Sequence, residues 1–121
     1  MVSALFDTNI LVDYLNGIEQ AKDELDKYSD KAISLITWME VMVGATPETD
    51  GVIRAFLNGF VNLPINAQVA AEAVALRKQH RIKLPDAIVW ATAQMDRRLL
   101  VTRNTKDFSA EEPGIRVPYR V

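Results

Sequence analysis

The sequence predicts a single α/β domain, with a parallel sheet of four or five strands flanked by helices on both faces. Three observations lead there. Short apolar runs without polar alternation read as strands buried on both faces. Amphipathic stretches at helical spacing lie between those runs. The chain has 121 residues, 49% hydrophobic and 25% charged, which is one domain's worth spanning 1–121. No internal repeat, low-complexity segment or linker divides it.

Val2-Ser3-Ala4-Leu5-Phe6 is the first strand, and it stops on the cap-forming residues Asp7-Thr8-Asn9. Ile10, Leu11, Tyr14 and Leu15 then recur at helical spacing until Asn16-Gly17 ends the helix. A second helix covers about 19–28, with Ala21, Leu25 and Tyr28 inward and its acids, Glu24 among them, on a solvated face. Ala32-Ile33-Ser34-Leu35-Ile36 is the next strand, followed by a helix over 37–45 that Thr37 opens. A helix over 52–60 leads to an outlying strand near 60–65, outlying because Pro64 cannot donate to a central ladder. The longest helix covers 66–81 and starts on Asn66. Lys83-Leu84-Pro85 reads as a turn, with Asp86 capping a helix to about Arg98. Leu99-Leu100-Val101-Thr102 is the fourth strand, 103–112 a polar loop, and Ile115-Arg116-Val117 a fifth strand.

Composition excludes much chemistry. Without cysteine there is no disulfide framework, thiolate metal site or thiol nucleophile. His80 is the single histidine, so a His-rich metal site is impossible and protein ligands to any metal are oxygens. Oxygen ligands favour Mg²⁺, Mn²⁺ or Ca²⁺. No apolar run approaches the roughly 20 residues needed to span a bilayer. The N-terminus meets Asp7 before any basic or long apolar region, so no signal peptide and a cytoplasmic location are expected. Net charge is −2, unevenly spread. Residues 1–76 carry four basic and eleven acidic side chains, whereas 77–121 carry ten basic and five acidic. Such a split arises from ordinary variation among helix surfaces, or from a basic wall beside an acidic centre that handles a polyanion.

Ligand crevices in open α/β sheets lie beyond the carboxyl ends of the strands. The acids expected there are Asp7 after the first strand, Glu40 shortly after the second, Asp86 opening a helix, and the pair Asn104/Asp107 after the fourth. Each has a local explanation as well. Asp7 and Asp86 suit N-caps, Thr37 and Glu40 have capping-box spacing, and Asn104 and Asp107 suit a turn. Together they suggest more, because converging carboxylates persist only with a cation or a raised pKa. Asp13, one turn after Asn9, also points toward the cleft or away from it.

Four segments carry a family resemblance through the whole chain. They are Leu5-Phe6-Asp7-Thr8-Asn9; Ser34-Leu35-Ile36-Thr37-Trp38-Met39-Glu40-Val41 with Gly44; Leu84-Pro85-Asp86-Ala87-Ile88-Val89-Trp90-Ala91-Thr92-Ala93; and Leu100-Val101-Thr102-Arg103-Asn104-Thr105-Lys106-Asp107-Phe108. In this order and spacing the chain resembles the PIN domain, and most closely the VapC-like ribonuclease toxins of toxin–antitoxin pairs. The resemblance implies a PIN-like nuclease domain over 1–121. Asp7, Glu40 and Asp86 match the family's regular acidic metal positions. At the fourth, often Asp in the family, this sequence has Asn104, with Asp107 three residues later; either fills it. Thr8, Asn9 and Thr102 match polar positions that hold carboxylates by hydrogen bonds. Arg103 and Lys106 flank the site as candidates for binding substrate phosphates.

The expected function is therefore a metal-dependent endoribonuclease toxin using Mg²⁺, with Mn²⁺ possible. A metal-acidified water would attack the RNA phosphodiester and leave 5′-phosphate and 3′-hydroxyl ends. The expected partners are an RNA substrate, a cognate antitoxin laid over Tyr14, Leu15, Trp38, Met42 and Val43, and a second copy in a homodimer. Alternatives are a PIN-type RNA-processing nuclease outside toxin–antitoxin systems and a non-catalytic PIN-like binding module. A phosphoacceptor signalling domain fits poorly, because the first strand ends on one acid rather than a pair. His80 reads as helix-terminal, Trp38 and Trp90 as core, and Arg77, Lys78, Arg81 and Lys83 as a phosphate stripe or a solubilised helix end.

Overall fold

The computed structural model describes residues 2–121; Met1 lies outside the described residues. In chain order the elements are β1 (Ser3–Phe6), α1 (Thr8–Leu15), α2 (Glu19–Asp26), β2 (Asp30–Ser34), α3 (Leu35–Val43), α4 (Asp50–Leu57), β3 (Val61–Leu63), α5 (Ala67–His80), α6 (Leu84–Met95), β4 (Leu99–Val101) and β5 (Ile115–Arg116). The strands form one sheet in the order β3-β2-β1-β4-β5, and every pairing is parallel. Leu5 pairs with Ala32 on one side and Leu100 on the other. The Pro64 that limits β3 follows it directly, at one edge of the sheet. β5 forms the other edge.

Alternation along the pleat divides the core into two layers. Leu5 and Leu100 face α5 and α6, where Val69, Ala73, Leu76, Ala87, Trp90 and Ala91 are buried with them. Ala4, Phe6, Ile33 and Val101 face the opposite layer with Ile10, Leu11, Leu25, Val41 and Leu57. There Phe6 sits edge-on to Tyr28 and Phe60, at 5.5 and 6.0 Å between ring centroids. A strand buried on both faces has no solvent side to mark with polar residues, which is why β1 and β4 read as unbroken apolar runs. Among the described residues no helix is long and apolar enough to cross a membrane.

Two helix starts differ from expectation. The second strand ends at Ser34, whose hydroxyl caps α3 by accepting from the Ile36 N–H at 3.3 Å, so Leu35 and Ile36 belong to the helix. α6 begins at Leu84 rather than Asp86, with Pro85 in its first turn, where the missing N–H has no partner to lose. Asp86 therefore does not cap this helix. Glu24 also departs from the solvated face expected of it. It is 2% exposed, and Arg116 from β5 grips it at 2.6 and 3.0 Å.

Candidate active site at the carboxyl edge of the sheet

From β1 the chain winds outward to β2 and β3, then returns to place β4 on the other side of β1. The crevice at this reversal opens beyond the ends of β1 and β4. Asp7 follows β1 and Thr102 follows β4, and the Asp7 N–H donates to the Val101 carbonyl at 2.9 Å. The Asp7 side chain is held from three directions. One oxygen accepts from the Thr8 N–H at 2.8 Å; the other accepts from the Thr102 hydroxyl at 2.8 Å and the Asn9 amide at 3.2 Å. Burial raises its pKa, the Glu40 charge adds to the rise, and the three donors oppose it. Asp7 thus caps α1 and also faces the crevice.

Glu40 lies on the exposed side of α3, where one carboxylate oxygen accepts from the Thr8 hydroxyl at 2.7 Å. It does not close a capping box with Thr37. The helix starts at Ser34, and Thr37 is buried inside it, its hydroxyl 3.1 Å from that of Thr8. Asp86, in the first turn of α6, has its pKa pushed up to about 7. Burial is the main cause, followed by the Asp7 charge, the hydrogen bond with Asp107 and the Glu40 charge. Asp107 is held below the ordinary carboxylate range, first by the Asn104 amide donating at 3.1 Å, then by Asp86, Lys106 and Lys83.

Asn104 shapes its loop. Its side-chain oxygen accepts from the Lys106 and Asp107 N–H groups at 3.1 and 3.2 Å, and its own N–H donates to Thr102 Oγ1 at 3.0 Å. Of Asn104 and Asp107, it is Asp107 whose side chain hydrogen-bonds Asp86. Arg103 is engaged elsewhere. Its guanidinium grips Asp13 at 2.7 and 3.1 Å, and the Tyr119 hydroxyl donates to the same carboxylate at 2.9 Å. Its backbone N–H donates to Asn9 Oδ1 at 3.1 Å, tying that pair to the site. The helical position of Asp13 left its direction open. Tyr119, in the C-terminal tail, carries no local signal of its role.

Among the described residues no group of three or more His, Cys, Asp or Glu side chains stands close enough to hold a metal ion. Like charges repel, and each carboxyl turns to a hydrogen-bond partner instead: Asp7 to Thr102 and Asn9, Glu40 to Thr8, Asp86 to Asp107. The donor chemistry nevertheless suits a hard divalent cation. All four groups offer oxygen, and among the described residues none of the four forms an ion pair with Lys or Arg. The raised pKa values of Asp7 and Asp86 come first from burial and then from the neighbouring acids. Beside the site a groove of about 510 Å³ runs between Asp107, Lys106, His80, Trp90 and Arg120.

Residues 4–110 match the PIN domain family. No curated protein matches the chain. Among solved structures, a chain of a toxin–antitoxin complex from Klebsiella pneumoniae is 50% identical with a TM-score of 0.94, over 98% of this chain and 100% of that one. FitAcB from Neisseria gonorrhoeae is 25% identical with a TM-score of 0.80, over 98% and 99% of the two chains. DNA-bound VapBC from Salmonella typhimurium shares the fold at 24% identity and a TM-score of 0.78, over 96% of each chain. The family match over most of the chain agrees with the acids placed at the strand reversal: the chain belongs to the PIN-domain family.

Proposed function

We propose that this chain is the toxin of a toxin–antitoxin pair and acts as a divalent-metal-dependent endoribonuclease. The observation that carries the reading is the set Asp7, Glu40, Asp86 and Asp107 at the strand reversal, none of which forms an ion pair among the described residues. Asp7, Glu40 and Asp86 would hold Mg²⁺ or Mn²⁺, with Asp107, presented by Asn104, in the fourth position. When bound, such a cation supplies positive charge to a scissile phosphate and lowers the pKa of a water. The chain's own residues prepare this. Thr102, Asn9 and the Thr8 N–H fix Asp7 in one orientation, and the Thr8 hydroxyl steadies Glu40. Asp107 is oriented by Asn104, and a carboxylate of the set would accept the proton of the attacking water. This chemistry needs neither histidine nor a 2′-hydroxyl, and it leaves 5′-phosphate and 3′-hydroxyl ends. Lys106 supplies positive charge along the substrate's path, whereas Arg103 is held by Asp13.

The likeness to a chain from a toxin–antitoxin complex supports a cognate antitoxin as partner. The surface offered to it is the side of α1 and α3 that carries Tyr14, Leu15, Trp38, Met42 and Val43. Val43 is 85% exposed, Tyr14 stacks on Phe56 at 4.6 Å, and Arg54 lies 5.5 Å over the Trp38 ring. A basic side chain from the antitoxin would then pair with the carboxylates. Homodimerisation and a cytoplasmic location complete the reading. The test is cleavage of RNA by the purified chain with Mg²⁺ or Mn²⁺ and with excess chelator, followed by end-group analysis. Full activity in chelator overturns the metal mechanism. An antitoxin complex with undiminished nuclease activity overturns the regulation.

A further inference from the structure

Among the described residues six cations of this fold are paired with acids: Lys22 with Asp26, Lys27 and Arg116 with Glu24, Arg54 with Asp50, Arg98 with Asp30 and Asp96, Arg103 with Asp13. The junction between α5 and α6 instead gathers several cations into one groove. A groove of about 320 Å³ there is lined by Arg77, Lys78, Arg81 and Ile82, with no acid among them. Among the described residues Lys78 and Arg81 enter no ion pair or side-chain hydrogen bond. Arg77 braces the turn by donating to the Ile82 carbonyl at 3.0 Å. Ile82 lines the groove and the next residue, Lys83, is the N-cap of α6, whose first turn carries Asp86, so the groove lies at the end of α6 that enters the carboxylate site.

We infer that the groove formed by Arg77, Lys78 and Arg81 is a track for the phosphate backbone of the RNA strand on its way to or from the carboxylate site, with Lys83 as the link. This rests on the nuclease reading above and extends it to the substrate's path outside the cleavage centre. Unpaired cations beside an acidic centre fit a polyanion, which they hold by its phosphates whatever its sequence. The competing account is that cations at the end of α5 merely complement the helix dipole. The groove argues against that, because its charged lining is these three cations with no acid among them. Arg81 also occupies the left-handed region at φ 56, where glycine would terminate the helix at no steric cost.

The same position provides a clean variant. Binding of a fluorescently labelled single-stranded RNA is titrated in chelator, to prevent cleavage, across a range of salt concentrations. The full chain is compared with Lys78→Gln, Arg81→Gly and the double variant. Each lost phosphate contact makes the log affinity against log salt slope shallower by about 0.7, and the double variant loses affinity on the order of tenfold at ~0.1 M salt. The melting temperature of Arg81→Gly stays level or rises, which separates lost binding from unfolding; Lys78→Gln provides an independent check. Salt slopes parallel to the parent chain overturn the track. So does weaker binding of polyglutamate with no change toward RNA, which assigns the groove to an acidic protein. Cleavage is scored separately with Mg²⁺ or Mn²⁺: a chain that binds RNA with the expected slopes but never cuts it supports the track and refutes the nuclease.

Discussion

The molecule buries carboxylates in two ways. On one side of the sheet Glu24 is 2% exposed, yet Arg116, Lys27 and Tyr28 all reach it, at 2.6, 3.1 and 2.9 Å. Burial pushes its pKa up, but these donors outweigh burial and hold it below the ordinary value. Asp13, 7% exposed, is also hydrogen-bonded to a cation and a tyrosine, Arg103 and Tyr119. At the carboxyl edge of β1 and β4, Asp7 and Asp86 are neighbours of other acids, and their pKa values rise. A buried acid beside its own cation closes the fold. Acids buried beside one another leave charge to be met from outside, and that distinguishes a site from a staple.

The strongest way to break this comparison is to neutralise a site acid. Asp7→Asn or Asp86→Asn should lower RNA cleavage by at least ~100-fold, since each 1.36 kcal/mol of lost transition-state stabilisation is tenfold. Melting temperature should hold or rise; wild-type cleavage by a folded variant would refute the assignment. Glu40→Gln should likewise abolish cleavage with little change in melting, because no capping box depends on it. Glu24→Gln should do the reverse: activity per folded molecule is kept, while stability falls by about 2 kcal/mol, below the usual loss for a broken buried pair because Arg116 is partly exposed. Calorimetry beside a single-turnover assay separates these outcomes.

Smaller effects sharpen the same contrast. Asp86 keeps its proton to about pH 7 in the fold but loses it near 3.8 when unfolded. Folding therefore takes up a proton in that window, and the stabilisation present at lower pH disappears as pH rises toward 7. Melting in chelator should fall by a few °C (~2–5) from about pH 5 to about pH 8, a range discounted for solvent screening of a partly exposed group. Asp86→Asn should flatten that slope; an unchanged slope would show that Asp86 does not titrate there. Least of all, Tyr119→Phe should cost about 1 kcal/mol through the lost hydrogen bond to Asp13. A change in the pH profile of cleavage on that substitution would mean that the tail does more than brace Arg103.

The strands, both covering layers and the acids beyond the strand ends were legible in the sequence, because each depends on local pattern plus one rule about parallel sheets. The helix starts were less so. Thr37 and Glu40 had capping-box spacing, but Ser34 caps first, and Pro85 entered the first turn of α6 instead of preceding it. The partners of the buried acids were out of reach for a different reason. Arg116 lies 92 residues from Glu24, and Tyr119 lies 106 from Asp13. No window along the chain contains both members of such a pair.

The strand order has a consequence for how the molecule is made. β1 is made before β4, yet it sits mid-sheet and must wait for it, because the Thr102 hydroxyl that orients Asp7 is 95 residues away. At roughly 5–20 residues per second, that wait is about 5–20 s of synthesis. During it the nascent chain holds Asp7 and Glu40 but not the loop that delivers Asp107. Ribosome-held chains ending before Thr102 should therefore be inert toward RNA and open to protease, whereas released full-length chains resist it. On the proposed reading, activity would arrive with the last sixth of the chain, after an antitoxin had time to meet α1 and α3.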